Sequence, residues 1–538
     1  MNPLLPIAAV EAGTTELVVL GILLAAAALV IAGQSAHIPY PVALVLGGLV
    51  LGFAPGVPAV SLNPDLVLLI VLPPLLYAAA FFSSLRDLRE NVQTIGLLSI
   101  GLVIATTLGV AAVAHTFIDS LSWEAAFVLG AVVSPTDPVA ATSIASRLGA
   151  PRRVVSIVEG ESLVNDATAL VIYKFAVAAA VTGSFSLMDA GFEFVLNVLG
   201  GLGVGLVIGW IVTWVRRRLD DPTTEITISL MTAYFAYLPA VAFDVSGVVA
   251  AVTVGIYLGW HAPELVSPAT RLQTFAVWEI LVFVLNALLF TLLGLQFEQI
   301  LDALDGFSAG ELVQYGAIVS AAVIVIRIIW VFPLTYLPRW LFQHARGMHD
   351  HTPWQHPLLV GWSGMRGAVS LAAALAIPLE TDAGTPFPER DLIIFITFCV
   401  ILTTLVLQGL TLPWMIRHLD VGDEHERDTE ESRARLHATK AALDRLDELE
   451  NEDWVRDDTA ERMRALLGYR KRRFAARFDG EDDGGFEKRS LNYQHLQREM
   501  LEAQREALVE LRRQGEIDDE VMRRVQRDLD LEDTRLEI

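Results

Sequence analysis

Apolar residues fill the first four-fifths of the chain in long runs, most of 18 or more, separated by short polar stretches. A run of that length is long enough to cross the roughly 30 Å hydrocarbon core of a bilayer as a helix. The pattern predicts thirteen spans, at 16–33, 38–53, 64–82, 93–118, 122–146, 153–182, 191–215, 223–243, 246–260, 271–299, 310–335, 357–378 and 391–416. After residue 420 the pattern changes. Apolar positions recur there on a helical period in a charged background, as in 433–449 and 493–511, with a break expected at Gly480, Gly484 and Gly485. The fold class that follows is an all-α polytopic membrane domain over residues 1–420 and a charged, mostly helical domain over 421–538.

Composition agrees with that division. Of 538 residues 53% are apolar and 19% charged, with a mean hydropathy of +0.49, whereas a soluble protein carries about a quarter charged residues. The last 118 residues hold 33 acidic and 23 basic side chains, more than half of all the charges. One cysteine, Cys399, excludes a disulfide framework and a cysteine-built metal site. A net charge of −23 without a basic stripe argues against nucleic acid as a partner. No cleavable signal peptide is expected, because Glu11 and Glu16, not a basic segment, precede the first apolar run.

Basic residues retained beside spans mark the cytoplasmic side. Of the 16 before position 421, twelve fall in alternate loops, from Arg86 to Arg417 and including Arg216, Arg217 and Arg218, and only Arg390 falls in the opposite set. This orients the tail to the cytoplasm and the N-terminus outside, in the cell membrane. Three basic residues remain inside spans: Lys174, Arg327 and Arg366. Asp137, Glu159, Glu161 and Asp166 are the acidic ones, with Glu279 nearer a span end. Each such charge costs at least ~2.5–3.5 kcal/mol at mid-membrane, so intramembrane charges point to function.

The fifth span carries Ser134, Pro135, Thr136, Asp137 and Pro138. Two prolines remove two backbone donors, so the helix should break there. Broken backbone at membrane depth is tolerated only where protein or a wet cavity satisfies it, an arrangement that offers carbonyls and a carboxylate to a cation. In the sixth span, Ser162 and Asp166 are four apart on one helical face, with Asn165 beside them and Glu161 near. These oxygens suit a hard cation. Glu159 and Lys174 are expected to reach inner water or headgroups by snorkelling. In the twelfth span Gly361, Gly364 and Gly367 loosen the helix around Arg366, which must find an anion or a helix carbonyl end. If two inverted six-span repeats flank span seven, spans five and twelve correspond, the sequence pointer to a midplane transport site.

At these residues the sequence resembles the cation/proton antiporter-1 family, the NhaP-type sodium/proton antiporters and their animal sodium/hydrogen exchanger relatives. The ordered set is Leu72, Pro73, Pro74 and Leu75; Pro135 to Ala140; Gly160 to Asp166; and Gly364 to Ala368. The resemblance covers almost the whole membrane domain and leaves the tail out. It implies discontinuous crossing helices in two inverted repeats, a homodimer, and Na+ and H+ as transported substrates with no cofactor. It implies that Asp166 binds ion and proton, assisted by Ser162, Asp137 and the Thr136 carbonyl with Asn165 adjacent, and that Glu161 forms an ion pair with Arg327 or Arg366. The sequence departs from the family at Ala78, where many members carry a carboxylate.

The function expected is secondary antiport, a monovalent cation for a proton, electroneutral at one to one because Asn165 and not a second acid adjoins Asp166. It is transport, not an enzymatic reaction. Two other readings remain: a K+/H+ antiporter of the same fold, and a membrane sensor or scaffold whose tail does the work. An intramembrane hydrolase lacks support, since no His-Glu-x-x-His sequence occurs.

Overall fold

The computed structural model describes residues 5–36, 38–55, 64, 67–183, 187–304, 306–346, 353–419, 421, 424–450, 452–479 and 486–536. The chain divides into two units, Met1–Gly422 and Asp423–Ile538.

Among the described residues of the first unit, the helices of eight residues or more are α1 Leu5–Ser35, α2 Tyr40–Gly52, α3 Val67–Phe82, α4 Val92–Phe117, α5 Trp123–Val133, α6 Pro138–Arg147 and α7 Arg152–Thr182. They continue with α8 Leu187–Arg216, α9 Pro222–Ala242, α10 Gly247–Leu265, α11 Pro268–Leu295 and α12 Ala309–Arg346. The unit closes with α13 Gln355–Trp362, α14 Ala368–Leu375 and α15 Arg390–His418. Among the described residues nine helices are long and apolar enough to cross a membrane. Local chemistry sets several starts. Ser122, Asp221, Ser246 and Ser267 each accept a backbone amide three residues on as N-caps. Pro73 and Pro74 lack amide hydrogens, so a wider π turn over Val67–Val71 precedes the regular part of α3.

The expected spans correspond to helices with shifted ends. Span 246–260 extends to Leu265, span 310–335 runs on to Arg346, and span 357–378 is two short helices instead of one. Arg216 corrects the sequence reading. The run Arg216, Arg217, Arg218 looks like a loop, but α8 continues through Arg216, which is 1% exposed and pairs with Glu225 of α9 at 3.4 Å. It is a packed ion pair at the end of α8 and not a loop charge. The side chains of Arg339 and Arg346 lie outside the described residues.

Packing is organised in two bundles. The larger apolar cluster runs through α4, α5, α6, α12, α14 and α15, with Leu129, Ala141, Val323, Leu371 and Ile396 fully buried. The second gathers Tyr77 of α3, Val212 of α8, Ala236 of α9, Val254 of α10 and Trp278 of α11. Leu163 and Ala167 of α7 pack against Leu72 and Leu76 of α3 and Ala251 of α10, which joins the bundles along α7. Leu199, Trp210, Phe235 and Ile329 are exposed, as lipid-facing positions require.

Among its described residues the second unit has four helices: α16 Glu424–Leu449, α17 Asp457–Asp479, α18 Phe486–Arg513 and α19 Asp519–Leu536. Arg464 of α17 holds Glu450 and Asp447 at the end of α16, and Arg505 of α18 holds Asp530 and Asp533 of α19. The break expected at Gly480, Gly484 and Gly485 lies outside the described residues.

Candidate functional site

Two interrupted helices meet. Helix α5 stops at Val133 and α6 begins at Pro138, because Pro135 and Pro138 cannot donate and Asp137, the residue before the second proline, is turned away from helical geometry. Asp137 is extended and caps α6, its Oδ1 accepting the Val139 amide at 2.9 Å. The second break lies between Trp362 and Ala368. The Asp137 amide donates to the Met365 carbonyl at 2.8 Å, tying one break to the other.

Arg366 satisfies carbonyls that the breaks set free. Its Nε donates to Val133 O at 3.0 Å and its Nη1 to Gly364 O, while its own amide donates to Thr404 Oγ1 at 3.1 Å. The guanidinium therefore sits at the carbonyl ends of both α5 and α13, where the helix dipoles favour a cation. Two glycines make the approach possible. A Cβ at Gly367 would run into the Asp137 carboxylate, and one at Gly364 into the Arg327 side chain.

Helix α7 crosses this junction unbroken and has two polar faces. On the first, Glu161 is 1% exposed and forms a two-pronged ion pair with Arg327 of α12, Nη2 to Oε2 at 2.7 Å and Nη1 to Oε1. Arg327 also donates to the Val360 carbonyl, from Nη2 at 3.0 Å. Thr136 Oγ1 donates to Glu161 Oε1 at 3.1 Å and accepts from Asn165 Nδ2 at 2.7 Å. Of the two arginines left open by the sequence, Arg327 is thus the partner, and Arg366 serves helix ends. The Thr136 hydroxyl and the Asn165 amide brace the first break against this pair.

On the second face, Glu159, Ser162 and Asp166 line a cavity of about 420 Å³ together with Thr136 and Asp137. Glu159 is half-buried and lies on this wall, sharing the face of Asp166 two turns away. Lys174, farther along, is exposed. Asp166 is 6% exposed and accepts no hydrogen bond from the described residues. No lysine or arginine lines the cavity among the described residues, and Ala78 contributes a methyl to its α3 wall.

Some of the lining was not evident in the sequence. Glu279, read as near a span end, lies inside α11, and Asn286 and Ser370 also face the cavity. The signal for Asn286 was a single amide within an otherwise apolar run.

A family model described as "Sodium/hydrogen exchanger, transmembrane" matches residues 19–418. The chain is 36% identical over 510 residues to an uncharacterized Na(+)/H(+) exchanger of Mycobacterium tuberculosis, covering 94% of this chain and 93% of that one. It is 35% identical over 427 residues to a "Sodium, potassium, lithium and rubidium/H(+) antiporter" of Bacillus pumilus, covering 77% of this chain and 63% of the other. Among solved structures, the sodium proton antiporter MjNhaP1 of Methanocaldococcus jannaschii superposes with a TM-score of 0.59 at 19% identity, over 77% of this chain and 100% of that one. That last likeness is one of fold.

Proposed function

We propose how this chain, which belongs to the sodium/hydrogen exchanger family, carries out cation/proton antiport: cation and proton compete for the carboxylate of Asp166. One observation carries this reading. Asp166 is buried at membrane depth, bonded to no described residue, and open only to a cavity that also receives the Ser162 hydroxyl and Asp137. An unpaired buried carboxylate is costly while ionised. Either a proton or a sodium ion removes that cost, and the two exclude each other. Exchange follows from mutual exclusion.

In this reading Na+ is held by Asp166, Ser162, the Thr136 carbonyl and the Asp137 oxygen that does not cap α6. One titrating carboxylate gives one cation per proton, an electroneutral cycle, since Asn165 commits its amide to Thr136. Alternating access comes from one bundle moving against the other around α7. Proton competition gives the cycle a direction, because alkaline cytoplasm frees the site for cation and supports pH and sodium homeostasis. The protein is read as a homodimer in the cell membrane, N-terminus outside and tail in the cytoplasm, on the family resemblance and on the bias of Arg86, Arg89, Arg147, Arg152 and Arg153 to one side.

A potassium-for-proton cycle at the same site is the second reading. It is favoured by the similarity to the Bacillus pumilus antiporter named for four monovalent cations and by Ala78, which leaves the α3 wall without a carboxylate.

The test is dissipation of a pH gradient by purified protein in liposomes, with sodium, lithium and potassium compared. Asp166→Asn should abolish exchange with assembly intact; exchange retained in that variant removes Asp166 from the mechanism.

A further inference from the structure

Facing α7 across the cavity stands α11, and its polar residues have no role in the mechanism proposed above. Glu279, Val282, Asn286, Leu289 and Phe290 all line the cavity, a spacing that keeps them on one helical face. Glu279 and Asn286 are seven residues apart, two turns and about 10 Å along the axis. Glu159 and Asp166 have the same separation on α7. Each wall therefore presents a carboxylate and, two turns farther along, a second oxygen-bearing side chain.

Asn286 is 2% exposed, and its Nδ2 meets no hydrogen-bond partner, nor does any described residue bond its Oδ1. A buried amide without partners is costly; water in the cavity takes the Nδ2 donor, and the Oδ1, which accepts from no described residue, is the atom that can face a cation. Ser370 of α14 repeats the observation: it is 1% exposed, its Oγ is unpartnered, and it lines the same cavity. Asn165 does not line the cavity, and its Nδ2 donates to Thr136 at 2.7 Å.

We propose that Asn286 is a ligand of the transported cation through its amide oxygen, with Glu279 as the carboxylate that receives the ion on its way to Asp166. The inference rests on the Asp166 reading. Its consequence is that the cation bridges α7 and α11 and so ties the two walls together, which a proton on Asp166 does not do. The gap between Asp166 and Asn286 then measures ionic radius, and Asn286 becomes a specificity-determining residue.

The experiment compares Asn286→Ala, Asn286→Asp and Glu279→Gln with the parent chain in proteoliposomes, measuring KM and kcat for Na+, Li+ and K+, and in detergent, measuring the rise in Tm that NaCl gives over choline chloride. Asn286→Ala should raise the sodium KM about tenfold with kcat within twofold, change the order of preference among the three ions, and lose the sodium-specific Tm rise. Asn286→Asp, which keeps an oxygen, should retain both, and Glu279→Gln should raise KM alone. An unchanged KM and ion order in Asn286→Ala overturns the proposal, and so does an Asp variant as impaired as the Ala variant. Should the Ala variant fail to fold, loss of the sodium-specific Tm rise in Asn286→Asp overturns it equally. If Asp166→Asn abolishes exchange while the Asn286 variants behave as the parent, this inference alone fails; if Asp166→Asn still exchanges, the site itself is wrong.

Discussion

The amide of Asp137 donates to the carbonyl of Met365 at 2.8 Å, and with that bond each interrupted helix completes the other. The bilayer core has no water to satisfy broken backbone. Here the carbonyls of Val133 and Gly364 go to Arg366, and the Asp137 amide goes to the opposite break. Neither break is satisfied without its partner, so the crossing behaves as one unit.

Gly367→Ala tests that closeness. The glycine has ordinary extended torsions, φ −138° and ψ −157°, so backbone strain is not the issue. The added methyl would overlap the Asp137 carboxylate, and overpacking of this kind costs about 1–3 kcal/mol. We expect exchange in proteoliposomes to fall at least tenfold with helix content by circular dichroism unchanged. Wild-type exchange would mean that the two breaks separate freely.

Glu161→Gln should destabilise the membrane unit. Removing one partner from a buried pair leaves an uncompensated charge and costs about 3–5 kcal/mol. Arg327→Lys should do nearly as much, because a point charge cannot reproduce both prongs on Glu161 and the bonds to Val360. Thermal unfolding in detergent checks both. Replacing the pair together, Glu161→Leu with Arg327→Met, should recover part of the loss, since an apolar pair carries no stranded charge.

What the sequence made legible follows from how local each signal is. Apolar runs marked the spans, and Pro135 and Pro138 marked the first break, because the cause of each lies within a few residues. The second break was hinted at by Gly361, Gly364 and Gly367, whose purpose, making room for Asp137 and Arg327, needs tertiary contact to be seen. The partner of Glu161 lies 166 residues away, and two arginines fitted equally until geometry chose. Arg216 was misplaced because its pairing with Glu225 depends on α8 and α9 packing together, while its neighbours Arg217 and Arg218 look like a loop. Asn286 carries no charge and so gave almost no signal in an apolar run.

The second unit should respond to acid through Glu450. Arg464 donates to both of its oxygens, at 2.9 and 2.7 Å, and holds its carboxyl below the ordinary 4.5. A carboxyl held low gives stability that is complete above its unfolded value and is lost as pH falls through the folded one. The contacts between α16 and α17 should therefore be insensitive to pH above about 5 and loosen below about 4.5. Both groups are partly exposed, so the effect is modest. Amide hydrogen exchange of α16 and α17 in the full chain, corrected for intrinsic rates, should show the loosening, and Arg464→Met should remove its dependence on pH.

The proposed competition at Asp166 makes a kinetic prediction for the whole cycle. If proton and sodium occupy the same carboxylate in turn, then lowering pH on the cation side raises the apparent sodium KM in proportion to proton concentration and leaves the maximal rate unchanged, because enough sodium always displaces the proton. A separate proton site would instead lower the maximal rate at constant KM. The same proposal sets an expected charge balance. If one carboxylate carries one positive guest in each direction while Glu161 stays paired with Arg327, no net charge crosses per cycle. Initial rates in proteoliposomes over a matrix of sodium and pH should give lines meeting at a common maximal rate. Exchange under a clamped potassium-valinomycin potential should be independent of voltage, and a transport current that follows the potential would require a second titrating group, for which Asp137, in the same cavity, is the first residue to replace.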